Sequence, residues 1–244
     1  MTTVLTFHRI TNDNFLEFED ISSENFEYIL SKINQKCVSI DQISSSNSSD
    51  NWLLSFDDGF SSDFEIVLPL MNKFGIKGIF FITTSYVGKK NYLNWNQIKT
   101  LSNEGMEIGS HSVNHMDMLS LSREERLQEI VDSKKLIEKK INKKIKTFSF
   151  PFGRCNKELT SEVLSAGYQY CFTSKPGRHT LNENIVPRIS INGSMSKNRL
   201  DKIINKNILN YYNTVIYYNL RELAKYMLGI KYYWKLRRVL NSNL

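Results

Sequence analysis

Long apolar runs are missing from this chain. None approaches the length that spans a bilayer, which excludes a membrane-crossing helix. Cysteine is scarce: Cys37, Cys155 and Cys171 are odd in number, widely spaced and outside any paired motif. Neither a disulfide framework nor a cysteine metal site is indicated. The first residues, Met1 to His8, lack a basic start, an extended apolar stretch and a small-residue cleavage site. A secretory leader is therefore not expected, and the expectation is a reduced, cytoplasmic protein. No internal repeat is visible. Histidine is also rare, with only four in the chain, so any pair of them at a meaningful spacing carries weight.

What is present is enough apolar residue, 41% of 244, to bury a full core in one domain with an appendage. The net charge of +7 would ordinarily raise nucleic acid as a partner. Residues 211–244 hold six basic residues (Arg221, Lys225, Lys231, Lys235, Arg237, Arg238) against Glu222 alone, so they supply five of those seven charges. The remainder is nearly balanced, and no nucleic acid is expected.

Short β-like runs alternate with helical patterns, which argues for parallel strands in an α/β fold. The expected strands are Val4–His8, Cys37–Ile40, Trp52–Phe56, Gly78–Thr83, Met106–Ser110, Thr147–Phe150, Tyr170–Thr173 and Ile189–Ile191. Helical periodicity marks Ser23–Asn34 through Phe26, Ile29, Leu30 and Ile33. It also marks Ser122–Ile141 through Leu127, Ile130, Val131, Lys134 and Ile137, with Ser122 and Glu125 as a capping box. The polar stretch Ser44–Asn51 reads as a surface loop. The expected architecture is a distorted (β/α) barrel of about seven strands over residues 1–208, with a basic, aromatic-rich helical tail over 209–244.

Chemistry concentrates at the carboxyl ends of strands in such barrels. The run Trp52-Leu53-Leu54-Ser55-Phe56 ends in Asp57-Asp58-Gly59, two adjacent carboxylates that repel each other unless a cation or a proton-transfer task holds them. The competing reading is an ordinary Asp-Asp-Gly turn. His111 and His115 stand four apart directly after another strand, a spacing at which both rings on a helical turn reach one ion. One carboxylate plus two imidazoles makes a three-ligand site of catalytic type, leaving the second acid free to act as base. Pro151-Phe152-Gly153 follows a third strand and His8 ends a fourth.

The ordered set Ser55-Phe56-Asp57-Asp58-Gly59, His111-Ser112-x-x-His115 and Phe150-Pro151-Phe152-Gly153 resembles the polysaccharide deacetylases, the NodB-homology group of carbohydrate esterases. The similarity spans Val4 to Ile191. It implies a distorted (β/α) barrel that removes N-acetyl groups from amino sugars with one divalent metal, Zn²⁺ first, Ni²⁺ or Co²⁺ as alternatives. By that resemblance Asp57 is the base, Asp58, His111 and His115 are metal ligands, and the Phe152 N–H steadies an oxyanion. Leu5-Thr6-Phe7-His8-Arg9-Ile10 is similar to relatives in which an early histidine is the general acid, with His179 the alternative here. The arginine that many relatives carry before the Pro-Tyr pair, and their late Leu-x-His motif, are both missing; Arg188 is the candidate to orient Asp57.

Tyr92 and Trp95 are candidates to stack on a sugar, with core packing the competing reading. The tail, with seven of the twelve tyrosines, reads either as a helix closing the barrel or as an interfacial helix on a membrane surface. The implied substrate is an N-acetylated sugar of a polysaccharide or of a lipid- or nucleotide-linked precursor in surface-polysaccharide assembly. The alternatives are a metal amidohydrolase on a non-carbohydrate amide, and a glycan-binding protein without turnover.

Overall fold

In chain order the first part of the molecule runs β1 (Thr2–Phe7), β2 (Ile10–Thr11), β3 (Ile21–Ser22), α1 (Ser23–Ile33), β4 (Asn51–Phe56), α2 (Leu68–Lys73), β5 (Gly78–Ile82) and α3 (Trp95–Asn103). It continues through β6 (Glu107–Ser110), α4 (Arg123–Ile141), β7 (Thr147–Ser149), α5 (Lys157–Ser165), β8 (Tyr170–Phe172), β9 (Ile185–Val186) and β10 (Ile189–Ser190). This computed structural model describes residues 1–13, 19–43, 50–180, 183–229 and 232–233. The polar stretch 44–49 lies outside them.

Eight strands make one parallel sheet in the order β10-β1-β4-β5-β6-β7-β8-β9, curled into a half-barrel; β2 and β3 pair separately. Strands β1, β4 and β5 are buried along their whole length, as parallel strands covered on both faces must be. Alternate residues divide between two cores. Phe7, Phe56 and Phe80 stack at 5.4 and 4.8 Å, and Phe26 of α1 meets the first two edge-on. Val4, Leu53, Ile79, Phe81, Phe172 and Val186 form the other cluster with Ile40 and Ile43. Each such side chain, fully buried, is worth about 1.5–3 kcal/mol.

Register then sets the site. Phe7 pairs with Phe56, Ile82 with Ser110, Ser110 with Phe148 and Ser149 with Phe172, so the carboxyl ends of these strands come level. Asp57 continues the alternation of Leu53 and Ser55, and His8 that of Val4 and Thr6, which turns both toward the second cluster.

Cys37–Ile40 is not a strand. Cys37 makes one bridge to Trp52, and Ile40–Gln42 is a 3₁₀ turn that buries Ile40 and Ile43. The Ser39-x-x-Gln42 capping box explains it: its side chains satisfy the turn's free N–H groups, and the two isoleucines share one face. Helix α4 is rotated from the expected stripe. Its buried residues are Glu129, Ile130, Ser133, Ile137 and Ile141, while Leu127 faces out.

The chain divides into two units, Met1–Gly193 and Ser194–Leu244. The second holds α6 (Lys197–Ile204) and α7 (Ile208–Leu228). Helix α7 stops before Gly229, whose φ of 74° suits a helix end. Trp234, Lys235, Arg237 and Arg238 lie outside the described residues, as does Lys231. Among those described, no helix is long and apolar enough to cross a membrane.

Candidate metal centre and active site

The turn after β4 is made by two consecutive left-handed residues, Asp58 (φ 75°) and Gly59 (φ 77°). A β-carbon at Gly59 would meet Ile82 Cδ1 at 3.2 Å, so glycine serves both backbone and space. The Asp57 N–H donates to Phe7 O at 2.9 Å, tying the turn to the end of β1. The two carboxylates then part company.

Asp57 is gripped by Arg188, which is fully buried and lies just before β10. Its Nη1 and Nη2 donate to the two Asp57 oxygens at 2.7 and 2.8 Å. The same guanidinium donates to Ser149 Oγ (2.9 Å) and Thr173 O (3.0 Å) and lies over the rings of Phe81 and Phe172. Burial alone would raise the Asp57 pKa, but the charge and hydrogen bonds of Arg188, with help from His111, hold it well below the usual carboxylate range. Asp57 is an oriented anion.

Asp58 faces the histidines. Its Oδ1 lies 3.6 Å from His111 Nε2 and 3.4 Å from His115 Nε2, and it is buried with no hydrogen-bond partner. The three ligand atoms fall within 4.8 Å of one another. His111 Nδ1 is 2.7 Å from Ser149 O, so Nδ1–H donates there and Nε2 presents its lone pair. Burial is the largest cause that pushes both imidazoles down to about 4, leaving them neutral, as metal ligands must be. An orphaned carboxylate oxygen beside two such nitrogens fits a divalent ion.

The spacing of His111 and His115 does not act through a helix. The segment is a loop with Ser112 (φ 67°) and His115 (φ 55°) in the left-handed region. Ser112 Oγ accepts from the His115 N–H at 3.0 Å. Buried Glu129 of α4 accepts from the Val113 and Asn114 N–H groups, both at 2.8 Å, and from Asn114 Nδ2 at 2.7 Å. Ser133 and Ser110 hydroxyls meet at 2.7 Å beside it. Glu129 therefore holds the loop that the ligands bracket, and periodicity did not find it because a charged residue on a helix reads as solvent-facing.

Phe152 sits in a 3₁₀ turn at φ 59°, its ring 4.8 Å from that of His115. Gly153 is needed beside it: a β-carbon there would lie 2.2 Å from Ser174. His8 directly follows β1, its Nε2 4.0 Å from Glu19 Oε2. Burial would lower its pKa, but Glu19, Asp58 and Asp57 outweigh burial and raise it. Arg9 and Asp20 pair through guanidinium and carboxylate, with Arg9 Nε donating to Asp20 Oδ1 at 2.9 Å. His179 is elsewhere. It exchanges backbone hydrogen bonds with Thr2 at the start of β1, the opposite strand end from Asp57. Trp95 also faces away, toward Lys140 of α4, whereas Tyr92 lies beside the site in a ring cluster with Phe60 and Tyr86. Asp63, fully buried with neither oxygen partnered, is pushed well up by burial and then by Asp58 and Asp57; it was not anticipated.

The three cysteines are free, and burial pushes Cys37 and Cys171 up to about 12, which makes them inert.

The polysaccharide deacetylase profile matches residues 44–171, just over half of the chain. The poly-beta-1,6-N-acetyl-D-glucosamine N-deacetylase of Staphylococcus aureus is 26% identical over 154 residues, covering 57% of this chain and 53% of its own. YxkH of Bacillus subtilis (strain 168) is 29% identical over 146 residues, covering 59% and 52%. The chain thus spans about half the length of the curated relatives it matches. The Streptococcus pyogenes deacetylase PplD superposes with a TM-score of 0.72 at 21% identity, over 84% of this chain and 96% of that one. IcaB from Ammonifex degensii gives 0.73 at 20%, over 84% and 95%. These likenesses establish the fold, and with the profile match over residues that carry both carboxylates and both histidines, the chain belongs to the polysaccharide deacetylase family.

Proposed function

We propose that this chain is a metal-dependent hydrolase that removes N-acetyl groups from an amino sugar of a glycan. The observation that carries it is the unpartnered Asp58 Oδ1 facing two neutral imidazoles, with Asp57 held ionised 3.9 Å from His111 Nε2. Asp58, His111 and His115 would hold the ion, with Zn²⁺ the best match to one carboxylate and two imidazoles and Ni²⁺ or Co²⁺ as substitutes. When bound, such an ion polarises an acetyl carbonyl and acidifies water to a pKa of about 7.

The chain's own groups complete the reaction. Asp57, oriented by Arg188, takes a proton as water adds to the acetyl carbon. The Phe152 N–H donates to the developing oxyanion. His8, beside Glu19 just past the end of β1, gives a proton to the departing sugar nitrogen, so amide and water become amine and acetate. General acid–base steps of this kind contribute about 10²–10⁴-fold each.

The named activity of the staphylococcal relative makes β-1,6-linked N-acetylglucosamine the first substrate to try. Metal-loaded protein should release acetate from it, and EDTA should abolish the release. Release from simple aliphatic amides but from no sugar would favour an amidohydrolase instead.

The tail is proposed to lie on an anionic membrane face, the inner one if the chain is cytoplasmic. Leu209, Tyr212, Ile216, Leu220, Leu223 and Met227 are each more than half exposed and recur every three or four residues. No charge falls among them. Arg221 and Lys225 group with Glu222 on the other side of α7. Full-length protein should pellet with phosphatidylserine vesicles, and Leu220→Asp with Leu223→Asp should release it; equal pelleting of both would refute membrane contact.

A further inference from the structure

The turn that carries the Phe152 N–H is tied to the histidine loop by one ion pair. Arg154 Nη1 donates to Asp117 Oδ2 at 2.6 Å, joining the segment after β7 to the segment after β6. Arg154 stands two residues past Phe152, and Asp117 two residues past His115. The rings of Phe152 and His115 meet edge-on at 4.8 Å, so the pair closes a small ring of contacts around both. Among the described residues no other hydrogen bond links 151–154 to 111–117.

That turn needs holding. Phe152 (φ 59°) and Gly153 (φ 68°) are both left-handed, a conformation that a phenylalanine keeps where its surroundings impose it. The turn's own backbone supplies one short hydrogen bond, Gly153 N–H to Phe150 O at 2.8 Å, and one long one, Arg154 N–H to Pro151 O at 3.4 Å. Asp117 is a fixed anchor for the arginine. Its backbone O accepts from the Ser120 N–H at 2.9 Å and the Ser120 hydroxyl at 2.7 Å. Its Oδ1 accepts from the Leu119 N–H at 3.4 Å, which leaves Oδ2 for Arg154. Stability does not explain the pair's place, because a partly exposed ion pair adds little to folding. What the pair does fix is the position of the Phe152 N–H relative to His115. A donor displaced by about 1 Å loses much of its effect on rate.

We propose that Arg154 and Asp117 are positioning residues for the oxyanion donor, setting where the Phe152 N–H stands relative to the ligand loop. The inference rests on the deacetylase reading for what that N–H does. It adds what holds the donor in place.

The test uses the full chain loaded with Zn²⁺ and β-1,6-linked N-acetylglucosamine as substrate. Asp117→Asn keeps an acceptor for the Leu119 N–H and removes the charge; Arg154→Lys keeps one donor, which is all that the contact uses. Arg154→Ala and Asp117→Asn should each lower kcat by about 10–100-fold, with KM within about twofold of wild type. The double variant should lose no more than either single one, and Arg154→Lys should recover most of the rate. Bound Zn²⁺ and Tm should hold throughout. A second readout needs no turnover. In Asp117→Asn the ¹⁵N order parameters of Phe152 and Gly153 should fall from about 0.85 toward about 0.6, while Val113 and Asn114, held by Glu129, stay rigid. Wild-type kcat in Arg154→Ala overturns the proposal, as does a loss carried by KM, by released Zn²⁺ or by a lowered Tm. Multiplying losses in the double variant, or unchanged order at Phe152, also overturn it. If wild type releases no acetate, the deacetylase reading fails and the order parameters still decide: lost order at Phe152 keeps the clasp, and unchanged order removes both.

Discussion

The two carboxylates of the Asp57-Asp58 pair are neighbours in sequence yet belong to differently built halves of the site. The half proposed to hold metal is local: Asp58, His111 and His115 come from two short motifs, and helix α4, through Glu129, braces one of them. The half proposed to handle protons is assembled over long distances. Arg188 reaches Asp57 across 131 positions, and His8 comes from just past the end of the first strand. The first half depends on ligand chemistry and loop geometry. The second depends on strand register and on one buried ion pair.

Breaking that ion pair should have the largest effect on folding. Arg188→Met leaves Asp57 buried and uncompensated, which costs about 3–5 kcal/mol and should appear as a marked drop in Tm. The sign with pH follows from the depressed Asp57 pKa. The pair's contribution is present above the unfolded-state value of about 4 and is lost as pH falls below it. Tm measured from pH 7 to 3 should therefore fall less steeply in Arg188→Met than in wild type. An equal slope would mean that Asp57 is not stabilised by this partner.

His8→Ala sharpens the same half without touching the ion pair. It should lower turnover of an N-acetyl sugar by about 10²–10⁴-fold while affecting an aryl acetate, whose leaving group needs no proton, far less. Uniform loss on both substrates would remove His8 as the acid. Glu129→Gln probes the metal half from behind. It should weaken metal affinity or activity by about 10–100-fold, read as a shift in a Zn²⁺ titration, with Tm nearly unchanged in the metal-free protein.

Asp63→Asn should have the smallest effect. Burial raises the Asp63 pKa, so its contribution to stability declines as pH rises above about 4. The asparagine protein should match or exceed wild type at pH 7, by on the order of 1 kcal/mol, with the difference shrinking in acid. A large loss at pH 7 would mean that the carboxylate is ionised and engaged.

The same contrast explains what the sequence disclosed. The candidate ligands Asp58, His111 and His115 stood out because each motif is contiguous and follows an apolar run. The barrel was legible from strand alternation. The geometry of the histidine pair was not, because left-handed backbone at Ser112 and His115 leaves no periodic trace. Glu129 was hidden by its charge, and Ile40 and Ile43 by their resemblance to a short strand, although the Ser39-x-x-Gln42 signature was there to be read. His179, the alternative to His8 in the sequence, pairs with Thr2 at the other strand end, a placement that only the fold reveals.

The division between the halves is tested most directly by measuring bound Zn²⁺ per chain and acetate release together, for Asp57→Asn and His111→Ala. Both variants should lose release by about 10²–10⁴-fold or more. Asp57→Asn should keep a full complement of metal, and His111→Ala should bind none. Loss of metal in Asp57→Asn, or stoichiometric metal in His111→Ala, would contradict the account.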